Sequence, residues 1–227
     1  MYRTSELFDL EHTLARELLE GCEYPWLALP QIGKTILALG AALGEDYART
    51  APDVWIHETA SVAPTASITG PCIIGPEAQI RHCAFIRGNA LVGGKCVVGN
   101  SVELKNVILF DSCEVPHFNY VGDSILGFRA HMGAGSVTSN IKSDRTNIVV
   151  KDGTERIPTG MRKIGAMLGD FAEIGCNSVL NPGTVVGRRA TVYPLSCVRG
   201  TVPADSILKT GGVNVPKEEH HGKIFRH

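Results

Sequence analysis

The sequence predicts an all-β fold, a parallel β-solenoid of hexapeptide repeats preceded by a short N-terminal helical segment. Three observations carry it. Aliphatic residues recur every six positions, a small or compact residue follows most of them by four, and the same beat returns after an insertion late in the chain. A repeat this regular is one structural unit stacked on copies of itself.

The aliphatic series runs Ile56, Val62, Ile68, Ile74, Ile80, Ile86, Val92, Val98, Leu104, Phe110, Pro116. It restarts at Leu126 and Met132, and continues through Leu168, Ile174, Leu180, Val186, Val192 and Val198. Each hexad supplies a short strand and a corner. The aliphatic side chain points inward, its neighbours point out because strand side chains alternate, and the small residue lets the chain turn. Residues 53–203 are therefore read as the solenoid.

The flanks differ. Residues 1–52 are read as an N-terminal helical cap over the open end of the solenoid, with a substrate-binding lid as the alternative. Leu7, Leu10, Leu14 and Leu18 form one apolar stripe, and residues 30–44 a second. An insertion at 138–163 interrupts the hexads, and within it "NIVVKDGTERI" reads as a hairpin turning at Asp152-Gly153. It carries six basic residues against three acids, which suits either solvated surface or cover for an anionic ligand. Residues 204–227 are read as a C-terminal tail whose histidines, in "HHGKIFRH", are a frayed end and not a metal site.

Composition narrows the functions. The 227 residues carry 22 basic and 23 acidic side chains, which argues against nucleic acid or membrane as the main partner. The seven cysteines include no C-x-x-C pair, and Cys72 and Cys96 occupy slots otherwise held by small residues. Buried thiols in a reducing compartment are expected. Glu6 and Asp9 spoil a secretory signal, and the apolar run at 36–44 is too short to span a bilayer, so a cytoplasmic protein is expected.

At "VPHFNYVGDS" the beat resumes four residues late, which reads as a four-residue bulge after Pro116-His117 that lifts His117 and Tyr120 out of the wall. The hexapeptide pattern resembles that of the hexapeptide-repeat transferases, which implies three hexads, eighteen residues, per coil; Arg87 and Lys105 then stand one above the other and form a fork for a phosphate. A neutral His beside a bound phosphate has the proton affinity of a general base near pH 7.

The stretch 98–140 resembles the acetyltransferase half of the bifunctional N-acetylglucosamine-1-phosphate uridylyltransferases. Residues 159–187 are similar to the archaeal-type sugar-1-phosphate nucleotidylyltransferase/acetyltransferases. The blocks that carry the resemblance are H-x-x-Y-x-G-D at 117–123 and G-A-G-S-x-T-x-N at 133–140. The resemblance implies a left-handed parallel β-helix and a homotrimer with active sites between neighbouring prisms. The implied reaction moves acetyl from acetyl-CoA to the amino group of a hexosamine 1-phosphate, with no metal required. It places His117 as catalytic base and Arg87 and Lys105 on the phosphate. Tyr120 falls on the sugar phosphate, Asn140 and His131 beside the amino sugar, and Ala134, Cys176 and Pro194 along the acetyl-CoA groove. His131 stands where the family usually has Asn, the family's lysine after Asn140 falls near Thr146, and Cys176 replaces a Ser. The nucleotidyltransferase half has no counterpart in residues 1–55.

The sequence also admits two rival readings. One is a non-catalytic trimer that binds sugar phosphates or sugar nucleotides. The other is a zinc enzyme like the γ-class carbonic anhydrases, with His82, His117 and His131 as candidate ligands shared between subunits.

Overall fold

The structure is a computed structural model and describes residues 1–217. Its body is a parallel β-solenoid with three faces. The first face holds Val54–His57, Cys72–Ile74, Ala90–Val92, Ala166–Leu168 and Thr184–Val186. The second holds Ser61–Val62, Gln79–Ile80, Val97–Asn100, Glu114–His117, His131–Met132 and Glu173–Ile174. The third holds Ser67–Ile68, Phe85–Ile86, Val137–Thr138, Val179–Leu180 and Cys197–Val198. Two long strands, Glu103–Leu109 and Tyr120–Leu126, run from the third face onto the first. The inward column stacks Ile56, Ile74, Val92, Leu109, Leu126, Leu168, Val186 and Val202 in parallel register, and most of it is fully buried.

The corners are made by a left-handed conformation that glycine supplies at only some of them, such as Gly135 and Gly183. Glu77, Cys83, Asn89, Lys95 and Ser101 all have left-handed φ between 49° and 58°, one before the small residue of each hexad. Only short polar residues visit that region routinely, yet here Lys, Glu, Cys and Phe are held there by the pairing on either side.

That series shows what the broken rhythm is. From Glu77 to Arg129 the left-handed corners fall six apart except at two steps of five, Ser101 to Asn106 and Phe118 to Asp123. Register agrees, with eighteen residues from Ile74 to Val92 but seventeen from Val92 to Leu109 and from Leu109 to Leu126. The expected four-residue bulge at His117 does not exist. Two coils are each one residue short, and a total loss of two has the same phase as a gain of four when the period is six. The inward residues are accordingly Leu109 and Val115, not Phe110 and Pro116.

The N-terminal segment is not an end cap. Its elements, Thr4–Leu7, Leu10–His12, Arg16–Glu20, Pro25–Gln31 and Ile32–Ala42, lie lengthwise along the first face. The expected Leu7–Leu18 stripe is broken between short helices, and Leu14 is 45% exposed. The strap has a physical reason. The outward column of the first face is apolar in seven successive coils, Trp55, Ile73, Leu91, Ile108, Ile125, Met167 and Val185, before it ends at Thr201. None of these is more than 9% exposed; the helices Pro25–Gln31 and Ile32–Ala42, with buried Trp26, Leu29, Ile32 and Ile36, pack over the strands of Ile73, Leu91, Ile108 and Ile125, and the inserted hairpin packs over the strand of Val185. Burying one such side chain is worth about 1.5–3 kcal/mol. Polar contacts pin the strap at several heights, with Asp170 N donating to Leu7 O, Asp111 N to His12 O, and Ala204 N to the Tyr2 hydroxyl.

At each end of the solenoid one face is closed by an antiparallel strand instead. Tyr47–Ala51 pairs with Val54–His57 at one end, and Val213–Pro216 pairs with Ser206–Lys209 at the other. The region expected to be tail from 204 thus begins with a hairpin, while the "HHGKIFRH" histidines lie outside the described residues. Inside the insertion Val149–Asp152 and Glu155–Pro158 form the expected hairpin, with Gly153 at positive φ in the two-residue turn. Ile148 and Val150 anchor it against Gly183.

Candidate functional site

The two short coils build the site. A regular corner between the third and first faces spends one more residue turning than these do. At the short ones Lys105-Asn106 and Gly122-Asp123 are drawn into line with Asn140 of the coil above. Asp123 is 5% exposed, and its carboxylate is the hub. Asn106 Nδ2 donates to Asp123 Oδ1 at 2.9 Å, Asn140 Nδ2 donates to Oδ2 at 2.5 Å, and Lys105 Nζ lies 3.5 Å from Oδ2. A buried carboxylate is costly unless paired and hydrogen-bonded, and here it is both.

Tyr120 completes the cluster. Its hydroxyl accepts from Asn140 Nδ2 at 3.2 Å and lies over the bare backbone of Gly122, where a Cβ would stand 2.4 Å from the oxygen. Burial, then the negative charge of Asp123, pushes the phenol pKa above its ordinary value, so Tyr120 stays a neutral donor.

Arg87 and Lys105 sit on adjacent rungs, since Ile86 pairs with Leu104 and Arg87 N donates to Leu104 O. They are not an uncompensated pair of cations. Arg87 Nη1 donates to Glu103 Oε1 at 2.7 Å, which raises the Arg87 pKa further, and Lys105 faces Asp123. An anion arriving here meets a network of two cations and two carboxylates.

His117 lies elsewhere. It closes the other edge of the third face, at the corner from the second, with an exposed ring. No hydrogen bond holds its imidazole among the described residues. Residues 118–121 span the face between it and the Lys105 corner, so at about 3.3 Å per residue the two corners stand on the order of 10 Å apart. The premise that a bulge carries His117 up to the cationic column within one subunit is corrected by this placement.

The corner of His117 continues upward through three further positions. Gly135 N donates to His117 O, Asn177 N to Ala134 O, and Leu195 N to Cys176 O, so Ala134, Cys176 and Pro194 stack above His117 in successive coils. These side chains are small and Gly133 and Gly175 carry none, which leaves an open ledge beside the ring.

His131 joins neither corner. It stands on the second face with Glu114 and Glu173 as register neighbours, and its Nδ1 lies 3.1 Å from Glu173 Oε2. The Glu173 hydrogen bond raises its pKa, against the opposing effect of burial. With Lys95, Ser112 and Arg129 these groups line a shallow charged depression. His82 is bonded to Thr65 Oγ1 at 2.7 Å, and Thr146 lies on the insertion beside Lys142. The three candidate zinc histidines are thus not gathered within one subunit.

Sequence reasoning missed Asp123, Asn106 and Glu103. Asp123 ends the H-x-x-Y-x-G-D block, and its signal was the five-residue spacing of corner residues, which an aliphatic count alone does not reveal.

No helix among the described residues is long and apolar enough to cross a membrane. Parts of this chain are similar to known proteins. A family model described as the GMPPB C-terminal domain matches residues 68–154. The bifunctional sugar-1-phosphate nucleotidylyltransferase/acetyltransferase of Sulfurisphaera tokodaii is 33% identical over 109 residues, 48% of this chain and 27% of that protein. The bifunctional protein GlmU of Methanococcus maripaludis is 30% identical over 108 residues, 48% of this chain and 26% of that one. The chain thus spans about a quarter of the length of the curated relatives it matches. Among solved structures, a hexapeptide transferase family protein from Anaplasma phagocytophilum has a TM-score of 0.42 at 15% identity, over 74% of this chain and 80% of that one. The acetyltransferase domain of PglB from Neisseria gonorrhoeae has a TM-score of 0.34 at 16% identity, over 82% of this chain and 65% of that one. The chain is a hexapeptide-repeat protein that resembles, over about half of its length, the bifunctional sugar-1-phosphate nucleotidylyltransferase/acetyltransferases.

Proposed function

We propose that the protein is an acetyl-CoA-dependent N-acetyltransferase acting on a hexosamine 1-phosphate or a related sugar phosphate. The observation that carries this reading is the cluster of Lys105, Asn106, Asp123, Asn140 and Tyr120, with Arg87 one rung below. It is a pre-oriented set of donors and cations on an open face, at positions where the similar enzymes are expected to hold their sugar phosphate. Arg87 and Lys105 bind the phosphate, Tyr120 donates to it, and Asn140 is aimed by Asp123 at the amino sugar. Acetyl-CoA lies along the ledge of Ala134, Cys176 and Pro194, and its thioester supplies the acetyl group.

The attacking amine loses a proton as it forms the bond to the thioester carbonyl. His117 takes that proton, an assistance worth about 10²–10⁴-fold. Because His117 and the phosphate cluster occupy opposite edges of one face, the acceptor is held between two subunits of a homotrimer, the cluster from one and the imidazole from its neighbour. Positioning by the phosphate fixes the amine relative to the thioester.

Thiol release from acetyl-CoA, measured against a panel of hexosamine 1-phosphates, tests the proposal. Turnover that survives His117→Ala unchanged removes His117 from the chemistry. A second reading, a non-catalytic trimer that binds sugar phosphates, is favoured by one fact: Arg87 and Lys105 already carry carboxylate partners. Saturable binding of the sugar phosphate without any acetyl transfer selects it.

A further inference from the structure

Away from that corner, a cleft of about 210 Å³ opens between the inserted hairpin and the upper coils. Val149, Pro182 and Gly183 form its apolar floor, and Lys142, Lys151 and Arg199 converge on it. We infer that this cleft is a second anion site, which takes the phosphate of a phosphorylated small molecule.

The cations are held there by the fold. Val150 is buried, so strand alternation turns its neighbours Val149 and Lys151 to the other side of the hairpin, and both line the cleft. Thr201 Oγ1 donates to Lys151 O at 2.9 Å and fixes the strand over Gly200, whose bare backbone admits it. Arg199 follows the third-face strand Cys197–Val198 one rung above Asn181, whose side chain is tied back to Val198 O.

The charges are left for a ligand. Neither Lys151 nor Arg199 has a carboxylate within ion-pair distance among the described residues, and Lys142 shares only exposed Asp144 at 3.3 Å. The acids of the hairpin turn, Asp152 and Glu155, are engaged elsewhere, each 2.8 Å from the Met1 amine. Cations converging on a confined cleft repel one another unless an anion joins them, and a phosphate offers the oxygens to do so. The volume admits a phosphate or diphosphate with part of its organic moiety.

Calorimetric titration of the full chain with adenosine 3′,5′-bisphosphate, inorganic pyrophosphate and glucosamine 1-phosphate tests the inference, on an Arg87→Ala/Lys105→Ala background that removes the other cationic pair. At least one probe is expected to bind saturably. Lys151→Ala with Arg199→Ala, both exposed positions, is expected to weaken it about a hundredfold, roughly tenfold per cation, and Lys151→Arg only a few-fold. Preference for the bisphosphate identifies the nucleotide end of a coenzyme as the source, and preference for the sugar phosphate identifies a second sugar subsite. Equal affinity after the double alanine substitution, or no saturable binding of any probe, overturns the inference. It stands apart from acetyl transfer. A chain inert toward amino sugars that still loses phosphate through these two substitutions keeps this site and discards the catalytic one.

Discussion

Asn106 and Asp123 meet across one coil step, amide nitrogen to carboxylate oxygen at 2.9 Å, because the coils they close are each one residue short. That contraction, not an added loop, gathers the polar cluster. The same carboxylate holds Lys105 and Asn140, so one side chain sets the direction of three others.

Asp123→Asn removes the charge opposite Lys105 and leaves three amides competing for acceptors. Breaking such a buried network by one partner is expected to cost about 2–4 kcal/mol. Urea denaturation measures it, and a loss under about 0.5 kcal/mol would show that the cluster adds little to the fold.

Glu103 and a bound phosphate compete for Arg87. Glu103→Gln removes that competition while keeping the side-chain shape. If the sugar-phosphate reading holds, KM or Kd for the acceptor should fall about three- to tenfold with kcat little changed. An unchanged or higher value would place Arg87 outside the binding site.

Gly40 offers a test in which the sign is informative. In an exposed helix, Gly→Ala is stabilising by about 1 kcal/mol. Here a Cβ would lie 2.5 Å from the Trp55 indole, so Gly40→Ala is expected to destabilise by about 1–3 kcal/mol through overpacking. A raised melting temperature would mean that the strap is loosely seated on the first face.

His131 couples stability to pH through Glu173. Its pKa is raised in the folded chain, so folding takes up protons relative to the unfolded state. The stabilisation is fully present below about pH 6.5, the unfolded value, and is lost as pH rises through the raised one. Melting curves of the wild type and Glu173→Gln should therefore differ most at about pH 5.5 and converge toward alkaline pH. A constant gap would mean that His131 does not titrate through this contact.

Much of the solenoid is legible in the sequence because a single inward residue per hexad carries it. Ile56 through Leu104 were placed by counting six, and Cys72 and Cys96 are buried free thiols as their slots suggest, with burial lifting the Cys72 pKa to about 12. The count failed at Phe110 because inward aliphatics alone cannot distinguish two losses from one gain of four. The left-handed corner residues resolve it, but their conformation is invisible in letters such as Lys95 or Phe118. The strap was misplaced for a related reason. Trp55, Ile73, Leu91, Ile108, Ile125, Met167 and Val185 mark the covered face by recurring once per coil, a period of about eighteen that is hidden while attention rests on the period of six. Of the candidate site, Arg87 and Lys105 were stacked correctly by arithmetic, whereas their carboxylate partners depended on which way the corners turn.

The antiparallel strands at the two ends have a consequence for self-association. A bare terminal coil would offer its row of N–H and C=O groups to any passing chain, and prisms could then grow into fibres. With Tyr47–Ala51 and Val213–Pro216 each lying across one such row, one of the three faces is taken at each pole, and axial growth has fewer rows on which to start.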